Sequence, residues 1–258
     1  MTGITRYTRI LTLFDQAHPT WTVAEISAAL DTSASTLYRL IREMVAADML
    51  ESTVESRYRL GPLFVEYYRR LKLTDPLVLS GSKFLRPLLN QIPCPCTTIL
   101  ARLYGKTVMC VAEERSSIAT FATSYELGRP MPLLRGATSK AVLSTLPKRQ
   151  IMSLIEQASP NAQNDLDALY AEFTSIRKIG ISETHGQVDA GLVGIAAPLR
   201  SAELGINASL SAIVEERKLN EEIRPQIYAA LSSTARMIEG FMAELALDET
   251  KSNPAKSS

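Results

Sequence analysis

Between Ala34 and Arg42 the chain reads ASTLYRLIR. At 3.6 residues per turn Leu37, Leu40, Ile41, Met44 and Val45 share one face, and Ser35, Thr36, Tyr38, Arg39 and Arg42 share the other. Small hydroxyls and open backbone N–H groups at a helix start take phosphate oxygens, and a guanidinium reaches a guanine edge. The chemistry implied is contact with nucleic acid, by a helix pushed end-first from Ala34 into a major groove. A second set lies far downstream. Ser209 and Ser211 flank Leu210, so strand alternation puts both hydroxyls on one face. Ala137 and Thr138 open a helix whose free N–H groups favour an anion. Thr120 and Thr123 precede a glycine turn on an extended arm that ends at Met131. Gly194 lies in a strand, where a missing side chain lets a ligand reach the backbone. These residue types suit a cup for a small ligand, with Ser209 and Ser211 opposite the helix start.

The first set needs a frame. In WTVAEISAAL, Thr22 and Glu25 form a capping box for a short helix with Val23, Ile26 and Leu30 inward. Thr32 or Ser33 then caps a second helix from about 34 to 47. Met49–Glu51 and Tyr58–Leu60 make a hairpin, a wing from which Arg57 and Arg59 can lean on a DNA backbone. Residues 5–17 add an amphipathic helix with Tyr7, Ile10, Leu11 and Phe14 inward, ended by His18-Pro19. Its Arg6 and Arg9 face either phosphate or water.

After Gly61, Pro62 opens another helix. Leu63, Phe64, Tyr67 and Leu71 form an apolar stripe on it that either pairs with a second subunit or docks on the chain's own winged domain. Residues 76–91 read as a helix curved or broken near Pro87. TTILARLY and TVMCVAEE then read as a hairpin around Tyr104-Gly105-Lys106. SIATFATSYELGRPMPLL mixes a strand, a glycine turn and the arm. Helices over 137–146, 148–158 and 165–178 lead to strands over 181–184, 193–200 and 206–213. A long helix follows over 223–247, with Ile227, Leu231, Ile238, Phe241 and Leu245 inward, before a polar tail. This order is α+β.

With 258 residues, the chain has room for two domains of unequal size. Residues 1–72 hold nine Lys/Arg against eight Asp/Glu, a net charge of +1 that matches the +1 of the whole chain. Affinity for DNA must therefore come from local placement and from doubled contacts in a dimer. No apolar run approaches a membrane span, no signal core opens the chain, and three cysteines without one fit a reducing cytoplasm.

The sequence argues against catalysis. His18 and His185 are its histidines, and only His185 falls in the larger domain. No nucleophile elbow surrounds a serine, Ser139-Lys140 are adjacent rather than spaced as S-x-x-K, and no phosphate-binding glycine loop occurs. Cys94, Cys96, Cys110 and His185 can in principle converge on a metal. C-x-C is a weak signal, however, and Cys110 alternates inside an apolar strand, so buried free thiols are the simpler reading. No cofactor is implied.

STLYRLIREM and RYRLGP resemble the IclR family of bacterial transcription regulators. So do the later segments GRPMPLLRGATSKAVLSTLP, GQVDAGLVGIAAPLR and ASLS, in the family's order over nearly the whole chain. The resemblance implies a winged helix-turn-helix over 1–61, a linker helix over 62–75 and a GAF-like α/β effector-binding domain over 76–247, while the polar residues 248–258 read as a flexible tail. It implies a homodimer or dimer of dimers on double-stranded operator DNA. By alignment it places effector contacts at Thr120, Thr123, Met131, Ala137, Thr138, Thr184, Gly194, Ser209 and Ser211. The chain departs from the family in having Ser139 before Lys140, in Arg135-Gly136, and in Gln187 where an acidic residue often stands, although Asp189 remains. Hydroxyls, amides and Arg135 suit a small carboxylate effector, with room for an aromatic ring or short acyl chain. The competing reading is a small-molecule sensor or enzyme whose N-terminal domain makes protein contacts only.

Overall fold

A computed structural model describes residues 3–158 and 166–252 of the chain. It divides into two compact units, Met1–Thr74 and Asp75–Ser258.

The first unit runs α1 (Gly3–Leu11), β1 (Trp21–Thr22), α2 (Val23–Leu30), α3 (Ala34–Ala46), β2 (Leu50–Ser52), β3 (Arg57–Leu60) and α4 (Leu63–Thr74). The capping box forms: Thr22 Oγ1 accepts from the Glu25 N–H at 3.2 Å, and the Glu25 carboxylate accepts from the Thr22 N–H at 2.7 Å. α2 ends at Asp31, whose φ of 48° makes the left-handed stop without a glycine. Ile10, Val23, Ile26, Leu37, Leu40, Ile41, Met44 and Leu50 are buried together. Burying each such side chain stabilises the unit by about 1.5–3 kcal/mol before entropy is counted. Tyr7 locks α1 to α3 by donating its hydroxyl to Glu43.

α1 stops at Leu11, short of the expected 17. The Trp21 indole N–H is responsible: it takes the Leu13 carbonyl at 2.9 Å and the His18 carbonyl at 3.1 Å, while Asp15 takes the His18 N–H. The chain is thereby folded back before another helical turn can form. Trp21 also starts β1, which makes the wing a three-stranded sheet in the order β1-β3-β2. Gly61 packs so closely on the Asp48 carbonyl that a Cβ there would collide with backbone. No residue of α4 is buried.

The second unit runs α5 (Pro76–Gln91), β4 (Cys96–Tyr104), β5 (Thr107–Arg115), β6 (Pro130–Met131), α6 (Ala137–Ser144), α7 (Lys148–Ala158), α8 (Leu166–Ile179), β7 (Ser182–His185), β8 (Leu192–Ser201), β9 (Ile206–Glu215) and α9 (Ile223–Ser252). Its strands form one antiparallel sheet in the order β6-β5-β4-β9-β8-β7. Alternation splits β9 cleanly. Leu210, Ala212 and Val214 join Leu85 and Leu88 of α5 and Ile227, Leu231 and Met242 of α9 in one core. On the opposite face Ile213 packs with Ile99, Ala101, Tyr125, Met131 and Val142. Every residue of α6 is buried. A further core of Leu143, Leu146, Ile151, Ile155, Phe173 and Ile176 joins α6 to α7 and α8.

Several sequence expectations are corrected. α5 continues through Pro87. Asp75 caps it by accepting from the N–H groups of Leu77 and Val78 at 3.0 and 3.1 Å, and pairs with Arg102 at 2.5 Å. The expected strand after Arg115 does not form; before the two-residue β6 that stretch makes an isolated bridge, Cys110 to Leu127. α9 runs to Ser252, so the tail expected from 248 is helical over its first residues, and 253–258 lie outside the described residues. Met242 rather than Phe241 turns inward; Phe241 stays 38% exposed against Phe84, with Lys83 over its ring. Asp165 also lies outside the described residues.

Candidate functional site

α3 presents Ala34, Ser35, Tyr38, Arg39 and Arg42 to solvent, with Thr36 half-buried. Ser33 holds the cap position, but its hydroxyl bonds the hydroxyls of Thr36 (2.9 Å) and Ser35 (3.3 Å) and no backbone N–H. The first N–H groups of the helix therefore have no side-chain partner. Arg39 pairs with Glu43 at 3.1 Å across one turn, an exposed contact that another anion can replace at little cost. Arg42 has no ion pair among the described residues. The outward face is polar, cationic and free of competing structure.

The wing arginines differ from one another. Arg59 pairs with Glu51 on the neighbouring strand at 2.8 Å, and both are about half exposed. Arg57 is committed inward: Nε donates to Thr20 Oγ1 at 2.8 Å, and the terminal nitrogens donate to the Thr20 carbonyl at 2.9 Å and to Glu25 at 3.0 and 3.2 Å. It ties the wing to the capping box. The hydrogen bonds to Thr22 and Arg57 hold the Glu25 carboxyl below its ordinary pKa.

In the second unit, strand β9 carries Ser209 and Ser211 on one face, as alternation predicts. They face the start of α6. Ser209 Oγ donates to the Thr138 carbonyl at 3.1 Å, and the Thr138 hydroxyl donates to Ser211 Oγ at 3.0 Å. All three residues are fully buried, so the serines meet a helix and no open cavity. Gly194 is likewise filled from within: its absent Cβ would lie 3.4 Å from the Ala137 methyl and 3.7 Å from Thr184 Oγ1. These are ordinary contact distances, so the start of α6 lies directly against this glycine.

The N–H groups at the α6 start are occupied by the chain's own oxygens. Gly136 N–H donates to Gln187 Oε1 at 3.0 Å and Ala137 N–H donates to Thr184 Oγ1 at 2.9 Å. Arg135 bonds the Gln187 carbonyl. Above them the arm is fastened down by Asp189, which accepts from Thr123 Oγ1 (2.9 Å), the Ser124 N–H (2.8 Å) and Ser124 Oγ (2.6 Å). Arg115 holds its beginning through the carbonyls of Ala119 and Phe121. Tyr125 and Met131 fill the space beneath. Burial pushes the Tyr125 hydroxyl up to about 12, so it stays protonated. Thr120 is exposed and stands apart.

Eight of the nine expected positions thus gather around one helix start, and Tyr125, Gln187 and Ser124 join them. Tyr125 and Ser124 carried no signal, because their roles arise from contacts across tens of residues. Cys94, Cys96, Cys110 and His185 do not converge, and the three cysteines are free thiols. Cys96 and Cys110 belong to cores on opposite faces of the sheet, each thiol pushed to about 12 by burial. His185 sits instead between Glu216 and Glu183, at 2.8 Å from each.

Residues 3–53 match the IclR helix-turn-helix domain, and residues 84–240 match the bacterial transcriptional regulator IclR C-terminal family. The uncharacterized HTH-type transcriptional regulator RhmR of Escherichia coli (strain K12) is 25% identical over 257 residues, which cover 93% of each chain. The HTH-type transcriptional regulator KipR of Bacillus subtilis (strain 168) is 21% identical, over 85% of this chain and 89% of KipR. Among solved structures, an IclR homolog from Microbacterium hydrocarbonoxydans, complexed with 4-hydroxybenzoate, superposes with a TM-score of 0.76. The match spans 94% of this chain and 100% of that one at 21% identity, and it shares the fold. Matched in order at both its N-terminal and C-terminal domains, the chain belongs to the IclR family of bacterial transcription regulators, with a helix-turn-helix DNA-binding domain and an effector-binding domain.

Proposed function

We propose that this regulator reads operator DNA with α3 and that a small organic carboxylate binds the cup around the α6 start and modulates that reading. On α3, Ser35, Thr36 and the open N–H groups after Ala34 take phosphates, while Tyr38, Arg39 and Arg42 reach base edges. Arg59 exchanges Glu51 for the DNA backbone. Arg57 acts through the wing it holds in place. The exposed apolar residues of α4, Phe64, Val65, Tyr67 and Leu71 among them, pair two subunits as a homodimer, alone or within a dimer of dimers. Two-fold symmetry then matches a pseudo-palindromic operator. Such a protein works in the cytoplasm, where its DNA is.

The observation that carries the effector reading is the pair of neutral oxygens, Gln187 Oε1 and Thr184 Oγ1, on successive N–H groups of a buried helix start. Two oxygens on two adjacent N–H groups is the arrangement a carboxylate makes, and a carboxylate gains from the helix dipole where the amide and hydroxyl gain less. Tyr125 and Met131 occupy the volume that a ring or acyl chain takes on binding. The 4-hydroxybenzoate of the Microbacterium homolog fits this ligand class. Thr123, Thr138, Ser209 and Ser211 supply the remaining hydroxyls.

Calorimetry with 4-hydroxybenzoate and a panel of aliphatic acids tests the effector, and selection of duplexes from a random pool tests the operator. A binding acid raises the melting temperature, because it stabilises only the folded state. Gln187→Ala tightens that binding by removing the internal competitor. A panel of acids without effect, or an acid that binds Gln187→Ala no better than wild type, overturns the effector reading. Absence of DNA binding at low salt overturns the first part and favours a sensor whose N-terminal domain contacts protein.

A further inference from the structure

Strand β7 is short. Its four residues pair with Val193–Ala196, so the outer edge of β8 from Ala197 onward has no strand beside it among the described residues. A cavity of about 480 Å³ lies there, lined by the ends of α6 and α8, by β8 and by α9. Its edge cannot accept a further strand. Pro198 has no N–H, and the Arg200 N–H already donates to Glu239 at 2.9 Å.

Three arginines line this cavity: Arg177, Arg200 and Arg236. Arg177 is used structurally, since it donates to the Ser144 and Leu146 carbonyls at 2.8 and 2.9 Å and so covers the C-terminal end of α6. Arg200 and Arg236 have no ion pair among the described residues; Arg236 Nε reaches only the Ser232 carbonyl of its own helix, at 3.2 Å. Arg115, Arg135 and Arg149 of this unit also lack an ion pair among the described residues, the first two being held by backbone carbonyls, but others do not. Arg86, Arg102, Arg217 and Arg224 each close on a carboxylate within 3.3 Å. Three guanidinium groups here share one lining carboxylate, Glu239, and Glu239 is spent on a backbone N–H. Cations that outnumber the carboxylates of a cleft raise the local concentration of anions, and guanidinium geometry selects carboxylate and phosphate. Ile179, Ala197, Pro198 and Ala235 add apolar wall.

We propose that this cavity is a second ligand site, which takes a small organic anion through Arg200 and Arg236: one phosphate or carboxylate group on a short apolar body. It touches the C-terminal end of α6, whereas the cup described above surrounds the N-terminal end, roughly 12 Å away along an eight-residue helix. The two sites are therefore separate and can be tested apart.

Phenyl phosphate, titrated calorimetrically into the full-length protein at fixed ionic strength, should show saturable binding. Arg200→Ala/Arg236→Ala should weaken it by about tenfold or more, the loss of at least one charge-assisted hydrogen bond, with the melting temperature unchanged because both side chains are exposed. Glu239→Gln keeps an oxygen for the Arg200 N–H and removes the opposing charge, so it should tighten binding. Ser209→Ala/Ser211→Ala should leave phenyl phosphate affinity as it was. Binding that never saturates, equal affinity in the double arginine variant, or loss of affinity in the double serine variant would each overturn the proposal.

Discussion

α3 and α6 begin with similar residues and put them to opposite use. α3 opens on Ser33, Ala34, Ser35 and Thr36, α6 on Gly136, Ala137, Thr138 and Ser139. The α3 start lies in water, where its hydroxyls bond one another and no side chain caps its N–H groups. The α6 start is buried, and Gln187, Thr184, Ser209 and Ser211 partner the Gly136 and Ala137 N–H groups and both oxygens of Thr138, while the Ser139 hydroxyl is buried without a hydrogen bond. Burial, not composition, decides which helix start stays open to solvent and which is closed by the chain's own oxygens.

The largest break in that contrast is Gly136→Ala. With φ at 82° and ψ at 148° the residue sits where side chains are strained, and a Cβ would meet the Tyr125 hydroxyl at 2.6 Å and a Val188 methyl at 2.7 Å. The second unit should lose about 3 kcal/mol in denaturant unfolding. Ser33→Ala, the matching change on α3, should move stability by no more than about 0.5 kcal/mol.

Next comes Arg39→Ala, which should cost about 1–3 kcal/mol of specific DNA affinity and relax one base position per half-site in a competition assay, with folding unaffected. Arg57→Ala should do the reverse. It removes the bonds to Thr20 and Glu25, so it should lower stability by about 1 kcal/mol, and a variant as stable as wild type would return Arg57 to the phosphate-contacting set.

What the sequence made legible follows the same line. The outward set of α3 was readable because one face lies in water and the other in a core, which leaves a clear period. The capping box and the alternation of Ser209 and Ser211 were readable because they are local. What those serines face was not: Thr138 is more than seventy residues from either of them. A helix buried all round carries no periodic signal, so the sequence left the α6 environment open to a cavity that the fold fills with Tyr125 and Met131. The early stop of α1 was hidden for a similar reason, since it depends on an indole ten residues beyond the last helical turn.

A smaller effect sharpens the contrast at the serines. Ser209→Ala/Ser211→Ala removes the acceptor of the Thr138 hydroxyl and one donor to its carbonyl, so the double change should lower stability by about 0.5–1 kcal/mol even without effector. A double variant as stable as wild type would mean that α6 does not depend on these bonds. The smallest expected effect concerns the loop that carries Gln187. His185, just before it, is held by Glu216 and Glu183, whose hydrogen bonds raise its pKa above the ordinary 6.5. The stabilisation is fully present below pH 6.5 and is lost as pH rises through the higher folded-state value. Melting temperature should therefore fall slightly across that window in wild type and not in His185→Gln.

The order of the large sheet has a consequence for how the chain is made. Its two central strands, β4 and β9, are separated by more than one hundred residues, while β4 and β5 form a hairpin at once. As the polypeptide leaves the ribosome, the first unit has all its pairing partners within 74 residues and can fold early. The β4 edge that will receive β9 waits until residues 206–215 emerge, with the backbone N–H and C=O groups of 96–102 on that side unpaired meanwhile. Such a nascent domain is slow to close and exposed to aggregation, so demand for chaperones should fall on the second half of synthesis.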